Sequence, residues 1–529
     1  MNKQGQSIWH RSTLMRATRK FCTKRAIQFA SIILAVAAVA IVCFYAEEDW
    51  RGNRAWKTYL SQSGIAPHQL DLRTYIPKPV PDDKNFGAIP AVKQWFATKW
   101  QDNPLELDHF SKVPDLMIQS FQDVEKQKHL QLVDLAAWQT ALKGKTKRND
   151  VSAREKKGSE AKPLNRGEAA YAVLAALADD EMIFQPLRAV TNFNESVYPV
   201  KYTLDDPWNI SVPHAANIQK ISTRLNLKAC AELAVGDSDK ALNNLTLIFC
   251  LANSLTNESL VISYLIRAKC VRMTIQPIWE GIAAHQWSDS QLQQIETQLL
   301  QFDFLIGLER SLKMERAEGV LTVDLTKSKG VRYLSGILYQ EPSVFGGVLG
   351  RVVDFMIPSG WFALEKVNYC RSFDLLFANT FDPVTNTASP VQADANFKSL
   401  NQNFGATSTP IGYILHHQTI ARSFLTPLPK VLFRGVISQT AANEAALACA
   451  LERYRLAHSN YPVSLQSLAP DWIPALPHDV IGGQSYHYYS SDSKNYTLYS
   501  IGWNAKDDGG MPGESVFGVN GDWVWKNSH

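Results

Sequence analysis

Glu309, Glu315 and Glu318 fall close together on one predicted helical stretch, and carboxylates three or four positions apart share a helix face. Two acids so placed can pass a proton between them, which general acid–base chemistry requires. Arg310 and Arg316 alternate with them, so the expectation is an ion-paired helix face and not a catalytic dyad. His416 and His417 are adjacent. Neighbouring residues do not face one way on a helix, so a metal there needs distant ligands that no spacing identifies. The chain has seven cysteines. Cys22 and Cys43 lie near the N-terminus, while Cys230, Cys250, Cys270, Cys370 and Cys449 lie beyond it, several of them in apolar stretches. No CxxC spacing occurs, and small buried thiols are the expected role. HExxH, GxSxG, P-loop and GxGxxG runs are absent, so no catalytic and no cofactor-binding residue is assigned.

The elements that must position these groups begin with an anchor. Lys3, Arg11, Arg16, Arg19, Lys20, Lys24 and Arg25 precede any acid, and the formal charge of the whole chain is only +4, so everything after this tail is net acidic. A basic patch for nucleic acid is therefore not indicated. Ile27–Ala46 carries no charge, and a helix of that length spans about 30 Å, one hydrocarbon core. Glu47, Glu48 and Asp49 follow, with Trp50 and Trp56 as interface anchors. The positive-inside rule places the tail in the cytoplasm and the bulk of the chain outside it. The rival is a cleaved signal peptide, but an A-x-A site at Ala38 and Ala40 would split the apolar run. Val42 before Cys43 argues against a lipobox.

The expected organisation is a tail (1–25), a transmembrane helix (26–46), a juxtamembrane helical and proline-rich region (47–142), a flexible basic loop (143–166), a helical domain (167–430) and a small α+β domain (431–529). Pro77, Pro79, Pro81 and Pro90 predict an extended strap, either a PxxP ligand or a connector on its own domain. Tyr171, Leu174, Ala178 and Met182 predict one buried helix face. Between Arg224 and Ser254, the small residues Ala229, Gly236 and Ala241, followed by Leu245, resemble one tetratricopeptide (TPR) hairpin turning at Gly236, without a second repeat. Ser288 and Gln291 form a capping box, flanked by Trp287 and Leu292 as a hydrophobic staple. The helix they open is expected to run through Ile306 into Glu318. An amphipathic helix is expected over 344–361, ending at Pro358, and a loop from Asn379 to about Pro410.

The last region begins with a helix over Val436–His458, stopped by Asn460, Tyr461 and Pro462. A short turn follows at Ser464–Leu468, then strands over Tyr486–Ser490 and Tyr496–Trp503, and a further strand within Val516–Val519 or Asp522–Trp525. Helix, YP, turn, then LP-x-D-x-x-G and aromatic strands resemble the globular head of the type II secretion major pseudopilin. Tyr461, Pro462, Asp479, Gly483, Tyr486 and Tyr488 carry that likeness, which covers about residues 436–529. ALERYRLAHSNYP and LYSIGWNAKDDGG, together with RGNRAW and PKPVPDD, are similar to a family of uncharacterised, membrane-anchored bacterial envelope proteins. The pseudopilin resemblance implies a calcium site in the Gly/Asp loop, with Asp507, Asp508 and Asp522 as candidate ligands, since calcium takes several oxygens at flexible geometry. A tight soluble turn is the alternative. The chain lacks the prepilin start at Lys24–Ile27, so filament assembly is not implied.

The resulting expectation is a mainly α protein: one transmembrane helix, a helical domain with a TPR-like hairpin and a pseudopilin-like α+β domain. It would be held in the inner membrane with its bulk periplasmic, and act as a scaffold or accessory on other envelope proteins. The alternative is an envelope hydrolase with its site between the helical domain and the C-terminal head.

Overall fold

The computed structural model describes residues 24–96, 129–146, 165–193, 195–339, 348–405, 412, 415–492, 494–515 and 518–527. Most of the expected basic loop lies outside these residues, as do Val516 and Phe517. Among the described residues the protein is mainly helical, with two small antiparallel sheets.

Helix α1 (Lys24–Gln62) is continuous for 39 residues. Its first half is long and apolar enough to cross a membrane, with a mean hydropathy of 2.6 and none of that window buried in the protein. Beyond Ala46 the same helix docks on α12 (Ser359–Phe377). Gly52 and Gly360 make the crossing possible, because a Cβ on either would overlap the facing backbone. Asp49 Oδ1 accepts the Gly360 amide at 2.6 Å and the Ser359 hydroxyl at 2.9 Å, so it caps α12 from another element. Glu48 accepts the Trp361 indole N–H at 2.9 Å, and the Tyr59 hydroxyl donates to Asp374 at 2.8 Å. The acids that follow the apolar run thus join α1 to the body.

After α1 the chain lies across the body in short 3₁₀ turns between Pro67 and Phe96. Asn85 exchanges two hydrogen bonds with Val197, and Phe86, Val92 and Trp95 enter the core, as a connector on its own domain would.

The helical body then comprises α2 (Leu135–Thr146), α3 (Arg166–Ala176), α4 (Glu181–Arg188), α5 (Pro213–Ala234), α6 (Ser238–Asn253), α7 (Val261–Ala283), α8 (Asp289–Leu300), α9 (Phe304–Lys329), α10 (Val331–Tyr339) and α11 (Val348–Met356), which leads into α12. Helices α5 and α6 form a hairpin. Gly236 sits at φ +83° while its amide bonds Leu233 O and that of Asp237 bonds Glu232 O, the Schellman pattern that lets a helix end without stranded carbonyls. Ser288 and Gln291 make the expected capping box on α8, with Trp287 and Leu292 both buried.

Four local expectations fail in whole or in part, for identifiable reasons. Tyr171 and Met182 are exposed by 66% and 74%: α3 buries its Ala169, Ala170 and Val173 face, and after the break at Ala176 the core takes Leu177, Phe184 and Leu187. The helix expected through Ile306 divides in two. Asp303 caps α9 by accepting the Ile306 amide, and Phe302 and Phe304 are buried at the corner. The amphipathic helix expected over 344–361 does stop ahead of Pro358, as α11 at Met356, but residues 359–361 open a new helix, with Pro358 at the N-cap of α12, where its missing N–H is harmless. The loop expected over 379–410 holds the hairpin β1 (Phe381–Asp382) and β2 (Thr387–Ala388), then α13 (Pro390–Gly405).

Two helices remain, α14 (Thr419–Leu425) and α15 (Leu428–His458). Helix α15 is the hub of the body: almost every residue from Gly435 to Arg453 is buried, and it packs on α7, α8 and α9. Its alanines (Ala441, Ala442, Ala445, Ala446, Ala448, Ala450) let neighbours approach closely. It stops at Ser459, which takes a left-handed conformation at φ +63°. Strands β3 (His487–Asp492), β4 (Asn495–Ser500) and β5 (Trp523–Lys526) then pair in the order β3-β4-β5, with Leu498 opposite both Tyr488 and Trp525. One hydrophobic core runs from Tyr59 to Trp525, so the sheet and the helices share an interior.

Candidate functional site

Helix α9 brings the sequence's acid candidates to three different fates. Glu309 pairs with Lys313 at 3.0 Å on the surface. Glu315 and Glu318 turn inward and are 8% and 6% exposed. The neighbouring arginines do not serve them: Arg310 donates to Thr256 O, and Arg316 pairs with Asp374. The expected ion-paired face is therefore wrong for Glu315 and Glu318. Residues one apart on a helix point about 100° apart, which separates each acid from the cation beside it.

Burial raises Glu315 to about 7. Burial, and then the charge of Glu315, pushes Glu318 well above the usual carboxylate range. Among the described residues no donor reaches either carboxylate. The Tyr369 hydroxyl donates to the backbone oxygen of Glu315 at 3.0 Å. Such a pair can hold one shared proton near neutral pH.

A second polar set is fully enclosed. Glu258 lies 2.7 Å from His214 and also accepts the hydroxyl of Ser263, while the Tyr198 ring stacks on His214 at 4.1 Å. The order is serine, carboxylate, imidazole. With the carboxylate in the middle, the histidine cannot take the serine proton, so this set is not a nucleophile–base pair. Spacing could not reveal it, because His214 and Glu258 stand on separate elements.

A cleft of about 720 Å³ is lined by Asp206, Trp208, Lys329, Arg332, Tyr333 and Phe424. Trp208 and Phe424 stack at 4.2 Å to form one wall. Neither the Glu315–Glu318 pair nor the His214–Glu258 set lines it.

The contact between α15 and the C-terminal sheet, inside the expected α+β domain, is filled by its own side chains. Asp479 accepts the Ile481 amide at 3.0 Å, the Ser500 hydroxyl at 2.8 Å and the Ile501 amide at 3.2 Å. Glu444 accepts the Ser500 amide at 3.2 Å. His417 is nearly buried, edge-on to Trp361 at 5.1 Å, and burial lowers its pKa to about 4, whereas His416 is exposed.

The proposed calcium ligands are committed to the loop itself. Both oxygens of Asp522 accept the Asp508 amide, at 3.2 and 3.1 Å, and Oδ2 also takes the Gly510 amide at 2.7 Å. Asp507 Oδ1 accepts the Gly509 amide and the Tyr499 hydroxyl, and Asp508 accepts Asn504 Nδ2 at 2.8 Å. The carboxylates thus bind groups of the loop in this arrangement. Among the described residues no three His, Cys, Asp or Glu side chains are arranged to hold a metal ion. Cys230, Cys270, Cys370 and Cys449 are buried free thiols, Cys250 is half-buried and Cys43 is exposed on α1.

No family model, curated protein or solved structure matches the chain.

Proposed function

We propose that this protein is held in a bacterial inner membrane by α1, with its N-terminal tail cytoplasmic and its body periplasmic, and works through protein contacts as a scaffold or accessory of the envelope. The observation that carries this reading is the outward face of α3 and α4. Tyr171 and Met182 are 66% and 74% exposed at positions the core does not use, and Tyr and Met are residue types enriched at protein interfaces. The TPR-like character of the α5–α6 hairpin and the pseudopilin-like character of residues 431–529 belong to the same proposal, as modules that bind partners.

The test is an affinity purification of the detergent-solubilised full chain beside a Tyr171→Glu, Met182→Glu variant. Proteins recovered with the native chain and lost with the variant are the expected result. Recovery of no protein, or of the same proteins by both, sinks the reading.

A further inference from the structure

We infer that α11 is a second membrane contact, an amphipathic helix lying in the bilayer surface beside the point where α1 emerges. The inference rests on reading α1 as the membrane span.

The placement follows from one side chain. Tyr45 stands at the end of the apolar run, one residue before Ala46. Its hydroxyl donates to the backbone oxygens of Phe355 at 3.2 Å and Met356 at 2.9 Å. The C-terminal end of α11 is thereby held at the height of Tyr45. One turn further along α1, about 6 Å at the α-helical rise, Asp49 caps α12. The chain leaving α11 cannot drop away from that level, because it enters α12 within three residues.

Orientation follows from a second side chain. Asp354 accepts the Val331 amide at 2.7 Å, which turns that face of α11 toward the start of α10. Val352, Phe355 and Met356, at i, i+3 and i+4, share another face and are 46%, 85% and 64% exposed. Arg351 is exposed as well. Apolar side chains on one face, with a long cation able to reach headgroups, are what an interfacial helix presents.

The occupant is lipid and not protein because of continuity. Val42 and Phe44 of α1, 66% and 45% exposed, stand within a turn of Tyr45. The acyl and headgroup region that covers them extends over Phe355 at the same height. Two contacts at a fixed separation would also hold the body at a set tilt to the membrane.

Photoreactive benzoylphenylalanine placed singly at Phe355, Leu34 and Val463 tests this in the full chain, reconstituted in vesicles of phosphatidylethanolamine and phosphatidylglycerol. None of these side chains is in the core: they are 85%, 75% and 94% exposed. The expected result is phospholipid adducts at 34 and 355, with 463 at background. Lipid at 34 with none above background at 355 overturns the inference and leaves the span standing. A cross-link from 355 to a second copy or another protein also overturns it, since the face is then a protein interface. Absence of lipid at 34 removes the span and the inference together. Equal lipid capture at 355 and 463 removes it as well.

Discussion

Glu444 and Asp479 meet where α15 faces the C-terminal sheet, and each is 2% exposed; Glu315 and Glu318, one turn apart on α9, are 8% and 6% exposed. In both pairs burial, followed by a neighbouring carboxylate, raises one member well above its usual range. What differs is the supply of donors. Asp479 gathers two amides and a hydroxyl, which hold it to about 6 against the burial that raises it. Glu315 gathers none among the described residues and rises to about 7. The first acid ties two loops to a strand. The second is a cost of burial that no hydrogen bond among the described residues offsets.

The largest effect expected from this contrast is at Asp479. Asp479→Ala leaves the Ile481 and Ile501 amides and the Ser500 hydroxyl without their acceptor, in a place water does not reach. A loss of about 3 kcal/mol in urea unfolding of the solubilised chain is expected, since each stranded buried donor costs about 1–3 kcal/mol. A loss below about 1 kcal/mol would mean that the donors find other partners, and Asp479 would no longer differ from the acids on α9.

The opposite sign is expected at Glu315. Its folded-state pKa of about 7 lies above the ordinary 4.5, so the unfolded chain releases this proton first as pH rises. Stability therefore falls between about pH 4.5 and pH 7 and levels off above. Glu315→Gln removes that decline. It should match the native chain near pH 4 and exceed it by roughly 3 kcal/mol at pH 8. A gap that fails to open with pH would show that a donor or water satisfies this carboxylate, and the two pairs would become alike.

What could be read from the sequence was local. The capping box at Ser288, the turn at Gly236 and the end of α15 at His458 each depend on residues within a few positions, and each stands as expected. What could not be read depends on partners far along the chain. Asp49 looks like a membrane-exit charge until Gly360, 311 positions away, is seen to need a cap. The arginines beside Glu315 look like its partners until their contacts with Thr256 and Asp374 appear. The stripe through Tyr171 and Met182 assumed one straight helix, whereas α3 buries its Ala169, Ala170 and Val173 face and the helix breaks before Met182. The candidate site was legible as residues but not as a site, because burial decides its chemistry and burial is a tertiary property.

Asp507 supplies the missing corner of the comparison, an acid with donors and no burial. The Gly509 amide lowers its pKa first, and the Tyr499 hydroxyl and the charge of His487 lower it further, while the side chain stays exposed. A depressed acid stabilises the fold above its unfolded pKa, and that contribution disappears as pH falls through the folded value. Solvent screens the interaction, so Asp507→Asn should cost no more than a few tenths of a kcal/mol at pH 7 and nothing at low pH. The same variant decides the calcium question, because Asp507 is one of three carboxylates a calcium ion would need. With the loop acids committed to amides, melting midpoints of the native chain should coincide in chelator and in calcium. A midpoint raised by calcium in the native chain and not in Asp507→Asn would mean that the ion displaces those amides. Asp507 would then be a ligand held in reserve, and its separation from the buried acids would rest on the metal, not on exposure.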